Sequence, residues 1–151
     1  MSLFGIGRIE MSDAMSGFGT KLNMGDGASP EVFTEIAEVS NVSGPGISLD
    51  TIDVTHDASP GGYKEYAAGL LDGGEIKLEL NFLPANATQS GLLTALGSRA
   101  AKNFKLVFPD TAATTWSFAA FVTNFEPSAP VDGKLGASVT LKITGQPTLT
   151  A

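Results

Sequence analysis

Glu75-Ile76-Lys77-Leu78-Glu79-Leu80-Asn81-Phe82 alternates apolar and polar side chains without a break. Successive side chains of a strand point to opposite faces. Ile76, Leu78, Leu80 and Phe82 therefore line one face, and Glu75, Lys77, Glu79 and Asn81 the other. An antiparallel sheet with one face packed on a core reads this way.

Working outward, Pro84 and Asn86 precede the one helical pattern, expected over about residues 87–101. Asn86 with Gln89 three positions on forms a capping-box spacing. Leu92, Leu93, Leu96 and Ala100 fall at helical intervals, and Arg99 and Lys102 lie where a helix C-terminus favours cations. Beyond the helix, 104–108 is a short strand with Phe104, Leu106 and Phe108 inward. Residues 115–125 form the next, with Trp116, Phe118, Ala120 and Val122 on one face and Phe121 and Phe125 on the other. Residues 137–144 close the pattern with Ala137, Val139, Leu141 and Ile143. Upstream, 19–24 reads as a short strand ended by Gly25-Asp26-Gly27. Residues 32–42 read as a strand bent near Glu38 and ended by Gly44-Pro45-Gly46, and 49–55 as another. Between 56 and 74 the alternation lapses around Asp57-Ala58-Ser59-Pro60-Gly61-Gly62. This stretch reads as a long loop with a short helical turn near 65–68. A loop of that length in a compact domain is usually functional or held by a neighbour.

These elements predict a mainly β fold of six or seven strands, a β-sandwich or partly open barrel with one packed helix. Residues 1–17 read as an N-terminal arm, and 18–151 as a single β-rich domain. The arm's Leu3, Phe4, Ile6, Ile9, Met11 and Met15 are too apolar for a solvated tail and suit docking on a neighbour. With 151 residues, 42% apolar and 17% charged, the chain can bury one core but carries little surface charge.

Acidity is uneven. The net charge is −7, with ten acids and three bases in residues 1–65 and six of each thereafter. Stable nucleic-acid binding, which needs clustered Lys and Arg, is not expected. No run nears the roughly 20 apolar residues of a membrane helix. The N-terminus lacks the basic and apolar regions of a secretion signal, making cytoplasmic synthesis the default.

The chain holds no cysteine and one histidine, so thiolate metal sites are excluded and a zinc centre is not expected. His56, Asp57 and Ser59 name the members of a catalytic triad. Sequence neighbours rarely set a base between nucleophile and acid, and no oxyanion element accompanies them. Glu31, Glu35, Glu38, Asp50 and Asp53 match no calcium-loop spacing. The glycine pairs lack the Lys-Ser/Thr of a phosphate loop. Catalytic, cofactor and metal sites are expected to be none.

The order of elements resembles a known family. A loose arm leads to Gly19-Thr20-Lys21-Leu22 and then to a strand ending in Val39-Ser40-Asn41-Val42-Ser43-Gly44-Pro45-Gly46. A second strand, a long loop and the alternating 75–82 strand follow. After the helix come Phe104-Lys105-Leu106-Val107-Phe108-Pro109, an aromatic strand and Ala137-Ser138-Val139-Thr140-Leu141-Lys142-Ile143-Thr144-Gly145. This resembles the tail tube, or major tail, proteins of long-tailed, lambda-like bacteriophages, over roughly residues 18–149. The chain ends after the last strand, so the extra C-terminal domain of some members is not expected.

The resemblance implies a structural virion protein. Hexameric rings whose strands join into one barrel would stack head-to-tail into a tube that conducts DNA from capsid to host. It implies partners: the chain itself, a tape measure protein inside the tube, tail terminator and tail-tip proteins, and DNA in transit. It also implies assembly in the host cytoplasm, with no cofactor and no membrane anchor. Inter-ring contacts are expected from the arm (Leu3, Phe4, Ile6, Ile9, Met11) and the long loop (Asp57, Pro60, Tyr63, Tyr66). Lumen-facing positions are expected at Glu35, Asp53, Glu75, Lys77 and Glu79. Alternatives are a terminator or connector, the tube of a contractile tail, or a monomeric β-sandwich module using Tyr63 and Tyr66 to bind carbohydrate.

Overall fold

The alternating stretch forms a strand over Glu75–Asn81, with Ile76, Leu78 and Leu80 buried and Glu75, Lys77 and Glu79 exposed. It is the sixth strand of a computed structural model that describes residues 14–151. Among the described residues the order is β1 (Lys21–Gly25), β2 (Phe33–Glu35), β3 (Val39–Ser43), β4 (Ser48–Asp53), β5 (Tyr66–Asp72), β6 (Glu75–Asn81), α1 (Ala87–Ser98), β7 (Lys102–Val107), β8 (Thr115–Ser128) and β9 (Gly136–Thr150). The mainly β architecture with one helix is as expected, with more strands than the six or seven read.

Seven strands form one open antiparallel sheet in the order β2-β1-β7-β8-β9-β6-β3, and β4 and β5 pair separately as a hairpin. The long strands β8 and β9 belong to two halves. β6 covers β9 only over residues 136–142, and β7 covers β8 only over 115–120. One half is thus β3, β6, early β9 and late β8; the other is late β9, early β8, β7, β1 and β2. Register shifts in the β8–β9 pairing, at Ser117/Ala119 and Val122/Asn124, mark the passage between halves; bulges bend strands in this way.

The sheet curls strongly. Flat, seven strands about 4.8 Å apart would set β2 and β3 roughly 29 Å from each other. Yet only residues 36–38 separate Glu35 from Val39, a reach of at most about 14 Å. The expected single bent strand over 32–42 is therefore two strands on opposite edges. Glu38, at φ 58°, makes the turn, and its carbonyl accepts from the Asn81 amide.

Inside the curl, Leu22, Ile36, Ile76, Leu78, Leu80, Phe104, Leu106, Phe118, Val122, Val139, Leu141 and Ile143 form one core with Leu92 and Ala95 of α1. Each large side chain buried there contributes about 1.5–3 kcal/mol.

The helix ends earlier than expected. Arg99 takes the left-handed cap conformation at φ 58°, and Lys102 opens β7. The buried face is Gln89, Leu92 and Ala95, while Leu93 is exposed and Ala100 lies outside the helix. Asn86 Oδ1 accepts from the Thr88 and Gln89 amides, as a cap should. Gln89 does not complete the capping box. Its Nε2 donates to the carbonyls of Ala37 and Asn81, and its Oε1 accepts from the Leu83 amide. Thr88 Oγ1 accepts from the Ala37 amide. The helix N-terminus thereby fastens the crossover that brings the sheet edges together.

Phe125, expected to face away from Val122, packs partly on the core, edge-on to Phe82. The bulge at Val122/Asn124 inserts one residue and reverses the alternation.

Candidate assembly surfaces

Residues 56–74 are not one loop with a helical turn near 65–68. Tyr66–Asp72 is strand β5, paired with β4 from Ser48↔Asp72 to Asp53↔Tyr66. A tip of residues 54–65, with a 3-10 turn at Pro60–Gly62, joins them. The small side chains of Ala67, Ala68 and Gly69 hid the strand. At Gly69 a Cβ would stand 3.0 Å from the Asp50 carbonyl oxygen, so this close backbone approach favours glycine.

The hairpin exposes an unusual amount of apolar surface. All six residues of β4 are exposed, Leu49 and Ile52 among them. On β5, Tyr66, Leu70 and Leu71 are exposed, Leu70 to 82%. Tyr63 at the tip is 78% exposed, with Asp57 and Pro60 exposed beside it. Large apolar side chains exposed on both faces of one hairpin suit an interaction surface. The four described loop residues expected at ring contacts, Asp57, Pro60, Tyr63 and Tyr66, thus share this hairpin. Leu3, Phe4, Ile6, Ile9 and Met11 lie outside the described residues.

Opposite the core, the main sheet presents a polar face. Glu75, Lys77 and Glu79 of β6 stand beside Lys142, Thr140 and Ser138 of β9. Farther round, Glu35 of β2 lies 4.0 Å from Lys21 of β1, and Lys105 sits over the Phe33 ring at 4.3 Å. Four of the five expected lumen positions therefore share one sheet face; Asp53 is apart, on β4. This face mixes signs, and the acids that make the N-terminal half negative lie largely on the hairpin and turns. Asp72, at the hairpin root, has its carboxyl held below the ordinary value, first by the Gly74 amide and then by the Lys142 ammonium 3.5 Å away.

The sequence reading did not single out the strand edges. Among the described residues, β3 pairs only with β6. Residues 121–128 of β8 pair with β9 on one side and with no described strand on the other. The four-stranded half thus ends in an open edge on each side. Exposed edges are usually blunted by Lys, Pro or an inward charge. β3 reads Val-Ser-Asn-Val-Ser, without charge or proline, and the 121–128 edge carries Glu126 and Pro127 only at its far end. A groove of about 840 Å³ runs beside β3, lined also by Met15, Phe18, Leu22, Leu106 and Phe108.

Ser59 Oγ donates to Glu65 Oε2 and accepts from the His56 amide, so His56 is not placed as its base. Among the described residues, no three His, Asp or Glu side chains gather as metal ligands, and no helix is long and apolar enough to cross a membrane.

A curled sheet with open strand edges and an exposed apolar hairpin define a structural subunit built for assembly. The model of the lambda phage tail tube protein family, TTP, matches residues 18–150. The chain belongs to that family, whose members are structural tail tube components of virion particles. No curated protein matches it in sequence. Among solved structures it is similar to a chain from the tail of an empty GTA particle with C6 symmetry, at TM-score 0.75 and 20% identity, covering 91% of this chain and 100% of that one. A chain of the sheath-tube complex of an extracellular contractile injection system gives 0.69 and 19%, covering 93% of each. The SPP1 tail tube gives 0.68 and 14%, covering 90% of this chain and 78% of that one.

Proposed function

We propose that six copies close into a ring by joining the β3 edge of one to the 121–128 edge of the next, and that rings stack into a tube that conducts DNA from capsid to host. The observation that carries this reading is the pair of open edges flanking the four-stranded half. Successive strands there are antiparallel, so β3 and β8 run in opposite directions, and joining subunits in one orientation continues an antiparallel sheet. An edge-to-different-edge contact is heterologous, and it closes into a ring when the rotation fits. The C6 symmetry of the similar GTA tail supports six as the number.

In this reading the polar face bearing Glu75, Lys77 and Glu79 lines the lumen. Its mixed charges neither hold nor strongly repel a polyanion, which suits DNA that must slide. The β4–β5 hairpin and the arm of residues 1–17 make the ring-to-ring contacts. A tape measure protein fills the lumen before DNA passes, and terminator and tip proteins occupy the tube's ends.

Because the chain has no cysteine, disulfide cross-linking tests the edge contact cleanly. Asn41→Cys is paired with single cysteines scanned across positions 121–128. At matching register, oxidation is expected to give a ladder ending at six. A ladder stopping at two, or none at any position, contradicts the contact.

A further inference from the structure

The hairpin tip has more internal structure than a solvent-exposed connection needs. Ser59 is only 8% exposed. Its Oγ accepts from the His56 amide at 3.0 Å and donates to Glu65 Oε2. His56 Nε2 lies 3.4 Å from the same carboxylate oxygen, and His56 Nδ1 accepts from the Ala58 amide at 3.1 Å. With Nδ1 accepting, the proton of the neutral ring sits on Nε2. The Glu65 amide donates to Thr55 Oγ1 at 2.8 Å, and its carbonyl accepts from the Val54 amide at 2.9 Å. Glu65 thus ties both ends of the tip together, accepts from Ser59 and has His56 beside it. The Ser59 and Pro60 carbonyls then accept from the Gly62 and Tyr63 amides, fixing the turn that displays Tyr63.

Resting on the reading of the hairpin as a ring-to-ring contact, we propose that Ser59, Glu65 and His56 form a latch that presets the tip before assembly, and that Tyr63 is the anchor it presents to a second copy. Tyr63 is an amphipathic aromatic side chain with few rotatable bonds, a type over-represented among residues that dominate interfaces. Presetting removes the cost of ordering the loop on contact, and this gain appears directly as affinity. Ser59 and Glu65 are positioning residues, because they act through Tyr63.

The test uses the full chain. Amide exchange of Ala58, Gly62 and Tyr63 is measured before assembly, and the critical concentration for tube formation by sedimentation. Ser59→Ala and Glu65→Ala are expected to speed exchange at these amides and to raise the critical concentration about tenfold. The melting temperature stays unchanged, since the tip makes no part of the core. Glu65→Gln, which keeps an acceptor oxygen for Ser59, restores both readouts. Tyr63→Ala raises the critical concentration without changing exchange at Ala58. Unchanged exchange in Glu65→Ala overturns the latch; faster exchange with normal assembly overturns its positioning role. Replacing residues 56–64 by an Asn-Gly turn separates the two readings. If that variant assembles normally, the ring-contact reading fails. If it does not assemble while the latch variants do, only the latch fails.

Discussion

Gln89 has no exposure, yet its amide is fully used by Ala37, Asn81 and Leu83. A buried backbone group stripped of its partner costs about 1–3 kcal/mol. Gln89→Ala strips the partner from three part-buried backbone groups and is expected to lower stability by about 3 kcal/mol, read by urea unfolding. Asn86→Ala, which removes only a cap, should cost about 1 kcal/mol. The cap was legible because its partners are two and three residues away. The clamp was not, because Ala37 lies 52 residues from Gln89. At Asp72 the lowered carboxyl pKa gives a sign. Its contribution is complete above the ordinary value of 3.8 and is lost as pH falls through the lower folded value. Asp72→Ala should therefore melt below the parent chain at pH 6, with the gap closing in stronger acid. A gap that persists or widens in acid contradicts the assignment.

At the scale of elements, legibility followed side-chain contrast. β6 and residues 137–143 of β9 bury apolar residues at every second position, so their period shows. In β5 the successive residues Ala67, Ala68 and Gly69 carry no apolar–polar contrast, so composition does not reveal the strand. The β2–β3 break was read as a bend, since nothing in the pattern says that the chain crosses between sheet edges. The edges themselves leave no periodic signal: an unpaired amide looks like a paired one in sequence. Leu70 and Leu71 of the hairpin are 82% and 73% exposed, so polar replacements there should spare folding. Leu70→Asp with Leu71→Asp is expected to leave the melting temperature within about 2 °C, as surface changes do. Sedimentation should show tube formation reduced tenfold or more. Normal tubes would remove the hairpin from the ring-to-ring contact.

For the whole molecule, fold class and family were legible from the order of elements, while the open edges on which the proposed ring rests emerged only from strand pairing. The acidity of residues 1–65 was legible as composition. Its location was not, and the sheet face that carries Glu75 and Glu79 also carries Lys77 and Lys142. Deleting residues 1–17 is expected to shorten tubes or prevent them while rings still form, as seen by negative-stain microscopy; tubes of unchanged length would exclude the arm from stacking. The most direct measurement of the central claim is a cryo-electron-microscopy reconstruction of the assembled protein. It should show sixfold rings in which β3 of one subunit pairs antiparallel with residues 121–128 of the next. Rings in which both edges face solvent, or a protein that stays monomeric at every concentration, would contradict it.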